Sequence, residues 1–294
     1  MTNGMLSEFG ALRAVAVKDA RAAFGDDDAI ERQWRELNYT AAPALERAAQ
    51  EHERFVQILR DGGADVHLLP ADAETTLDSI YARDASVVCG RGLILCSMGK
   101  AQRATEPAAQ ARALARLMPS LPVAGRIEPP GRLEGGDLVW FDDRTVAIGL
   151  GYRTNAEGIR QFSALAGDQV KVIEVPLPHW RGAGDVMHLM SLISPVDRDL
   201  AVVYSPLMPV IIRDWLLARG IQLVEVPDSE FDSMATNVLA LAPRRCLMLA
   251  GNPHTRTALT RAGAVVIEYE GGEISVKGAG GPTCLTRPLV RAAI

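Results

Sequence analysis

No apolar run in this chain approaches the ~20 residues needed to span a bilayer, and residues 1–10 lack the basic segment and apolar stretch of a secretory leader. Neither membrane insertion nor secretion is expected, which leaves the cytoplasm as the default. Blocks of basic residues are missing as well. A net charge of -5 with a pI near 5.6 argues against a phosphate-backbone partner, so no nucleic acid is expected. The four cysteines form no CxxC pair, which excludes the usual zinc spacing and any disulfide framework. The five histidines form no HxH or HExxH pair, so no metal is expected either. What remains is 294 residues, 48% hydrophobic and 23% charged, enough to bury a large core.

Nucleotide cradles are likewise incomplete. The run Gly149-Leu150-Gly151-Tyr152-Arg153-Thr154 follows an apolar stretch, but Thr154 stands at the third glycine position. Gly278-Ala279-Gly280-Gly281 is followed by proline and no helix, so it cannot hold a phosphate at a helix N-terminus. No cofactor is expected.

What is present is a repeat. Five segments, at residues 55–69, 113–127, 162–175, 215–226 and 259–269, each read as a helical run, in most cases stopped by glycine or a small residue, and then a β-branched strand. Between them lie paired short apolar runs at residues 80–89 and 93–96, 137–141 and 145–148, 186–193 and 200–204, and 238–241 and 246–250. Short polar links such as Gly90-Arg91-Gly92 read as hairpin turns. Each unit is therefore ββαβ, and residues 283–289 pair with residues 12–17 to complete the fifth unit from both ends of the chain. The expected fold class is α/β, in one domain over residues 1–294. An ordinary doubly wound sheet is the alternative, but it would not explain the regular hairpins.

In such a repeat, equivalent positions point at one central space. Asp84, Glu134, His188, Asn237 and Cys284 occupy them, each opening the first apolar run of its unit. Cys89, Cys96 and Cys246 lie within apolar strands and read as small core hydrophobes. Cys284 alone sits in a glycine-rich, non-strand setting, where a backbone can be approached closely. Gly135 and Gly136 let the chain run close to a ligand or adopt positive φ, with Glu134 and Asp137 flanking them. His188, in an apolar run with Val186 and Met190 on its face, reads in isolation as a core histidine. Together with a cysteine and a buried carboxylate it supplies a nucleophile, a general acid/base and an orienting group.

These motifs, in this order, resemble the guanidine-modifying superfamily, the penteins: arginine deiminases, dimethylargininases, agmatine deiminases and amidinotransferases. The resemblance rests on Arg83-Asp84, Leu133-Glu134-Gly135-Gly136-Asp137, Arg153-Thr154-Asn155, His188, Asn237 and Gly280-Gly281-Pro282-Thr283-Cys284. It implies a five-bladed αβ propeller with pseudo-fivefold symmetry and a small-molecule guanidino substrate, and it leaves a homodimer open. It further implies that Cys284 attacks the guanidinium carbon, giving a covalent amidino intermediate, and that His188 protonates the leaving nitrogen and then activates water. Glu134 and Asp84 would grip the guanidinium, with Asp78 and Asp137 beside the site and Arg103 and Arg153 on a substrate carboxylate. The stretch 148–155 is similar to the dimethylargininase version. Arg83 before Asp84 is deiminase-like, and Met190 stands where deiminases and amidinotransferases place an aspartate. The product would be citrulline plus ammonia or an amine. An amidinotransferase would use the same residues. A non-catalytic ribosome-binding initiation factor shares the fold but would not need Cys284, His188 and Glu134 together.

Overall fold

A computed structural model of the chain describes residues 6–185 and 187–293. Residues 1–5 of the stretch read for a leader, and Val186, read as a strand neighbour of His188, lie outside these. Among the described residues fifteen strands form five separate three-stranded sheets, each with the same order. In the sheet β3 (Ser86–Cys89), β4 (Gly92–Leu95) and β5 (Val123–Arg126), the first two strands are an antiparallel hairpin and the third is parallel to the second. The pattern recurs in β6 (Leu138–Asp142), β7 (Thr145–Leu150) and β8 (Lys171–Pro176), and in β9 (Ile193–Asp197), β10 (Leu200–Val203) and β11 (Gln222–Glu225). It recurs again in β12 (Leu239–Ala242), β13 (Arg245–Leu249) and β14 (Val265–Tyr269). The remaining sheet joins the two ends of the chain. β15 (Thr286–Arg291) runs antiparallel to β1 (Leu12–Lys18), which is parallel to β2 (Asp65–Leu69). The split unit expected from the sequence is therefore present, with Val17 opposite Thr286.

Each parallel pair is connected by a helix, because parallel neighbours need a crossover. The five crossover helices are Leu45–Asp61, Glu106–Leu117, Ala156–Ala166, Val210–Ala218 and Pro253–Arg261. The third shows how sequence sets its limits. Asn155 caps it by accepting from the Gly158 N–H at 2.8 Å, and Gly167 ends it at φ 98, a left-handed angle that glycine takes without a Cβ clash. No helix among the described residues is long and apolar enough to cross a membrane.

The core is divided into five apolar clusters, and each lies between two sheets. One joins Val87 and Ile94 to Leu138 and Trp140; the next joins Val139 and Ala147 to Ile193 and Val203. A third joins Val196 and Val202 to Cys246 and Met248, and a fourth Leu239 and Leu247 to Val15 and Val17. The fifth joins Ala14 and Leu289 to Val88 and Leu93. Full burial of each Val or Leu contributes about 1.5–3 kcal/mol relative to exposure, so every sheet is held from both sides. The hairpin strands β3, β9 and β12 are almost entirely buried, whereas β2, β5 and β14 begin at exposed residues.

Two boundaries differ from the sequence reading. Residues 187–192 are not a strand: Leu189–Ser191 form a single 3-10 turn, and β9 starts at Ile193. The cause is local. Asp137 Oδ1 accepts from the Leu189 N–H at 3.0 Å and Ser191 Oγ from the His188 N–H at 3.2 Å, so these donors are satisfied by side chains and not by a strand ladder. Residues 80–89 are likewise only partly extended, since Leu77–Ile80 make a 3-10 turn and the strand begins at Ser86.

Candidate active site

The five residues read as equivalent do stand at equivalent places, in the irregular segments that lead into the first strand of each hairpin. Asp84 precedes β3, Glu134 precedes β6, His188 precedes β9, Asn237 precedes β12 and Cys284 precedes β15. Loop backbone here can approach a ligand while the strand behind it holds position.

Glu134 is fully buried, and four groups converge on it. Its Oε1 accepts from the Gly99 and Lys100 N–H groups at 2.8 and 3.2 Å, and its Oε2 lies 2.8 Å from His188 Nε2 and 3.2 Å from Arg153 Nη1. Burial works against its charge, but the His188 hydrogen bond and the charges of His188, Arg153 and Arg103 prevail and hold the carboxyl far below the usual carboxylate range. Burial would also depress His188. The carboxylates of Asp84, Asp137 and Glu134 overcome it and raise the imidazole to about 9, so the ring carries a proton at neutral pH.

With Nε2 committed to Glu134, Nδ1 is the ring nitrogen on the Gly136 side. A Cβ added at Gly136 would lie 2.5 Å from His188 Nδ1 and 2.9 Å from Asp84 Oδ1. Only glycine permits this approach. Gly136→Ala is therefore expected to displace the imidazole and lower kcat by about 10²-fold, the scale of a 1 Å misplacement, and to lower the melting temperature, since overpacking a buried site costs about 1–3 kcal/mol. Wild-type kcat in that variant would show that the ring position is not critical.

Cys284 is the only partly exposed cysteine; Cys89, Cys96 and Cys246 are buried. Burial of the latter three pushes their thiols up, Cys246 to about 12. Asn237 fixes the loop carrying Cys284. Its Oδ1 accepts from the Thr283 N–H at 2.9 Å and from Thr283 Oγ1 at 2.8 Å, and its Nδ2 donates to Cys284 Sγ at 3.3 Å. The Cys284 thiol lies above its ordinary value through desolvation and then the nearby Asp84 charge, against the lowering effect of Asn237 and Thr283. An added positive charge beside it would favour the thiolate.

Cys284 and His188 are shared by two cavities. A polar one of about 90 Å³ is walled by Asp78, Asp84, Lys100, Arg103 and Arg153. A second of about 130 Å³ presents Met187, Met190, Met234, Phe231 and Trp180, with polar groups that include Arg181, Asp185, Asp232 and Thr236 in the same wall. Neither cavity wall includes Glu134 or Asp137. Asp137 is a correction to the expectation that it binds substrate: it is fully buried behind the site, its Oδ1 holds the Leu189 N–H, and burial raises its carboxyl to about 6.

Arg103 also departs from its expected part as a free carboxylate clamp. It makes four hydrogen bonds, to Asp84 Oδ2 at 2.6 Å, to both oxygens of Glu106 at 2.9 and 2.8 Å, and to Tyr81 O at 3.0 Å. It is committed to orienting Asp84, whose other oxygen accepts from the Gly136 N–H at 3.0 Å. Asp78 pairs with Lys100 Nζ at 2.6 Å. Lys100 and Glu106 were not read from the sequence. The three-residue spacing from Arg103 to Glu106 on a helical turn was a usable signal; nothing in the sequence marked Lys100. Arg83 points away from the cavities, bonding Thr283 O at 3.1 Å and Glu8 at 3.3 Å.

Asp84, Glu134 and His188 each bring one ligand atom within 4.8 Å of the others, a spacing that could hold a metal ion. Glu134 and Asp84 are, however, already bound to His188, Arg153 and Arg103.

Comparison with known proteins bears on this geometry. Residues 19–291 match the family model described as N,N dimethylarginine dimethylhydrolase, eukaryotic. The chain belongs to that family. The N(G),N(G)-dimethylarginine dimethylaminohydrolase of Streptomyces coelicolor is 29% identical over 241 residues, covering 81% of this chain and 84% of that protein. An arginine deiminase of Listeria welshimeri is 26% identical over 253 residues, 72% of this chain and 61% of that protein. Among solved structures, a cysteine-to-serine mutant of the Pseudomonas aeruginosa dimethylarginine dimethylaminohydrolase, complexed with citrulline, superposes with a TM-score of 0.74 at 24% identity. That match covers 94% of this chain and 99% of the other. An amidinotransferase from Microseira wollei superposes at 0.77 with 16% identity, over 98% and 97%. At these identities the structures establish a shared fold, α/β with five small sheets. Family membership makes the chain an enzyme that hydrolyses guanidino groups of arginine derivatives.

Proposed function

We propose that the chain hydrolyses the side-chain guanidino carbon of a free amino acid, arginine or an N-methylated arginine, to give citrulline with ammonia or a methylated amine. The observation that carries this reading is the placement of the partly exposed Cys284 thiol between two cavities, with buried, carboxylate-bound His188 in both walls.

The guanidinium lies flat beside Asp84, whose fixed carboxylate keeps it planar and cationic. Its charge beside the thiol lowers the thiol's pKa, so the substrate helps to ionise its own attacker. Cys284 Sγ forms a bond to the guanidinium carbon. The C–N bond to the departing nitrogen breaks, and that nitrogen takes the proton of His188 Nδ1. The now neutral imidazole accepts a proton from water, whose oxygen bonds to the amidino carbon as the C–S bond breaks. Glu134 acts through His188, orienting the ring and favouring its protonated form. Lys100 and Arg153, in the wall of the polar cavity, face the amino-acid end of the substrate, while Asp78 holds Lys100 and Arg103 holds Asp84. The negative cluster suits an organic cation, and no step requires a metal or cofactor.

The same reading makes the five sheets the blades of a closed propeller, one catalytic domain in the cytoplasm with a small molecule as its partner. Its support is the run of apolar clusters, each bridging successive sheets and returning from the fifth to the first.

A pH profile tests the roles. Because kcat/KM reports the free enzyme, it should climb through neutral pH as the raised Cys284 thiol approaches ionisation. From about 9, where His188 begins to lose its proton, that loss offsets the gain of thiolate, and the profile should fall only at a pH above both groups. A fall already centred near 6.5, the ordinary imidazole value, would contradict the assignment of His188 as the acid.

A further inference from the structure

We infer that the second cavity is a leaving-group site for an N-alkyl substituent larger than methyl, so that the preferred substrates are arginines bearing an extended apolar group on the terminal guanidino nitrogen. The inference rests on the hydrolase reading above and assigns one more part of the same site.

The two cavities share Asp185, His188, Ala279 and Cys284 and differ in the chemistry of the rest of their walls. The polar one carries the charged groups Asp78, Asp84, Lys100, Arg103 and Arg153, matched to a guanidinium and an amino-acid head. The other presents Met187, Met190, Met234, Phe231 and Trp180, five large apolar side chains that no ammonia molecule could use. Methionine adapts its shape to irregular apolar guests, and aromatic faces accept alkyl chains. At about 130 Å³ against about 90 Å³, this lobe is the larger of the two.

Its wall is built, not incidental. Phe231 stacks on Tyr204 with ring centroids 3.8 Å apart, and Trp180 meets Phe231 edge-on at 6.2 Å. Arg181 ties to Asp232 at 2.9 Å across the rim, linking the segments that carry Trp180 and Phe231. Backbone strain is concentrated here too. Non-glycine residues with positive φ are uncommon, and in the wall of this lobe Trp180, Met234 and Ala279 have φ of 47, 62 and 57. Such conformations persist where surrounding structure holds them for function.

One polar feature fits an amine. The Thr236 hydroxyl is buried in this wall and has no hydrogen-bond partner among the described residues. It can accept the N–H of a departing secondary guanidino nitrogen while the alkyl chain lies among the methionines. Atoms balance as in ordinary hydrolysis. The C–S bond forms, the C–N bond to the alkylamino group breaks, His188 supplies its proton, and water completes citrulline with release of the alkylamine.

The test is a homologous series, Nω-methyl-, Nω-ethyl- and Nω-n-butylarginine, with citrulline and amine quantified for the purified wild-type chain. With roughly 0.8 kcal/mol for each buried CH₂ as an upper scale, kcat/KM should rise about tenfold or more from methyl to n-butyl. Met187→Trp, which fills the lobe, should bring the butyl-to-methyl ratio below one. A butyl value equal to or below the methyl value in the wild-type chain overturns the leaving-group assignment and leaves the hydrolase reading standing. No citrulline from any of the three, with citrulline from arginine itself, overturns this inference alone; none from arginine either overturns the hydrolase reading and this inference with it.

Discussion

Cys284→Ser is expected to lower kcat by at least ~10²-fold, the scale of losing a nucleophile, with no change in the fold. A serine hydroxyl is not ionised near neutral pH, and the bound cation that tips a thiol toward thiolate cannot tip an alcohol. Stability should be preserved because the substitution replaces one small side-chain atom, and the Asn237 amide that donates to Sγ can donate to Oγ. The loop is held by the Thr283–Asn237 bonds, which the change leaves intact. Reactivity offers a second check. A cationic haloacetamidine should label Cys284 ahead of Cys89, Cys96 and Cys246, whose burial raises their thiols and bars entry. Retention of a tenth of wild-type activity in the serine variant, or first labelling at another cysteine, would remove Cys284 from the mechanism.

His188→Asn should stop turnover at a different point. If one imidazole serves both half-reactions, its loss removes the acid for the departing amine and the base for water. A substrate with a better leaving group than ammonia should still form the amidino adduct with Cys284, so the variant should accumulate it, visible by intact-mass measurement. Part of the loss will be electrostatic. Without the imidazolium, Glu134 retains Arg153 and the Gly99 and Lys100 amides but loses the cation 2.8 Å away. Loss of turnover together with accumulation of that adduct is a readout that a merely structural histidine would not give. An unmodified and fully active variant would make His188 a core residue.

Much of this was legible in the sequence because a repeat must bury the same faces in every unit. The helix-then-strand cassettes, the hairpins and the pairing of chain ends follow from periodicity, and the positions of Asp84, Glu134, His188, Asn237 and Cys284 follow from the same register. What was not legible is what long-range contacts decide. The run around His188 has strand composition, but Asp137, more than fifty residues earlier, takes the Leu189 N–H and turns the backbone. Arg103 looks like a free cation until Glu106 and Asp84 are seen around it. The pairing of Lys100 with Asp78 joins two loops with no patterned signal. The methionine lobe gathers Trp180, Met187, Phe231 and Met234 from segments whose composition gives no hint that they meet.

Hydrolysis at the guanidino carbon of an amino acid is tested most directly with labelled water. Purified chain incubated in H₂¹⁸O with arginine, Nω,Nω-dimethylarginine or agmatine should produce citrulline carrying one heavy oxygen in its ureido group from the amino acids, together with one equivalent of ammonia or dimethylamine. Agmatine, which lacks the carboxylate, should react far more slowly. Unlabelled product, passage of the amidino group to an added amine, or equal turnover of agmatine would contradict the account.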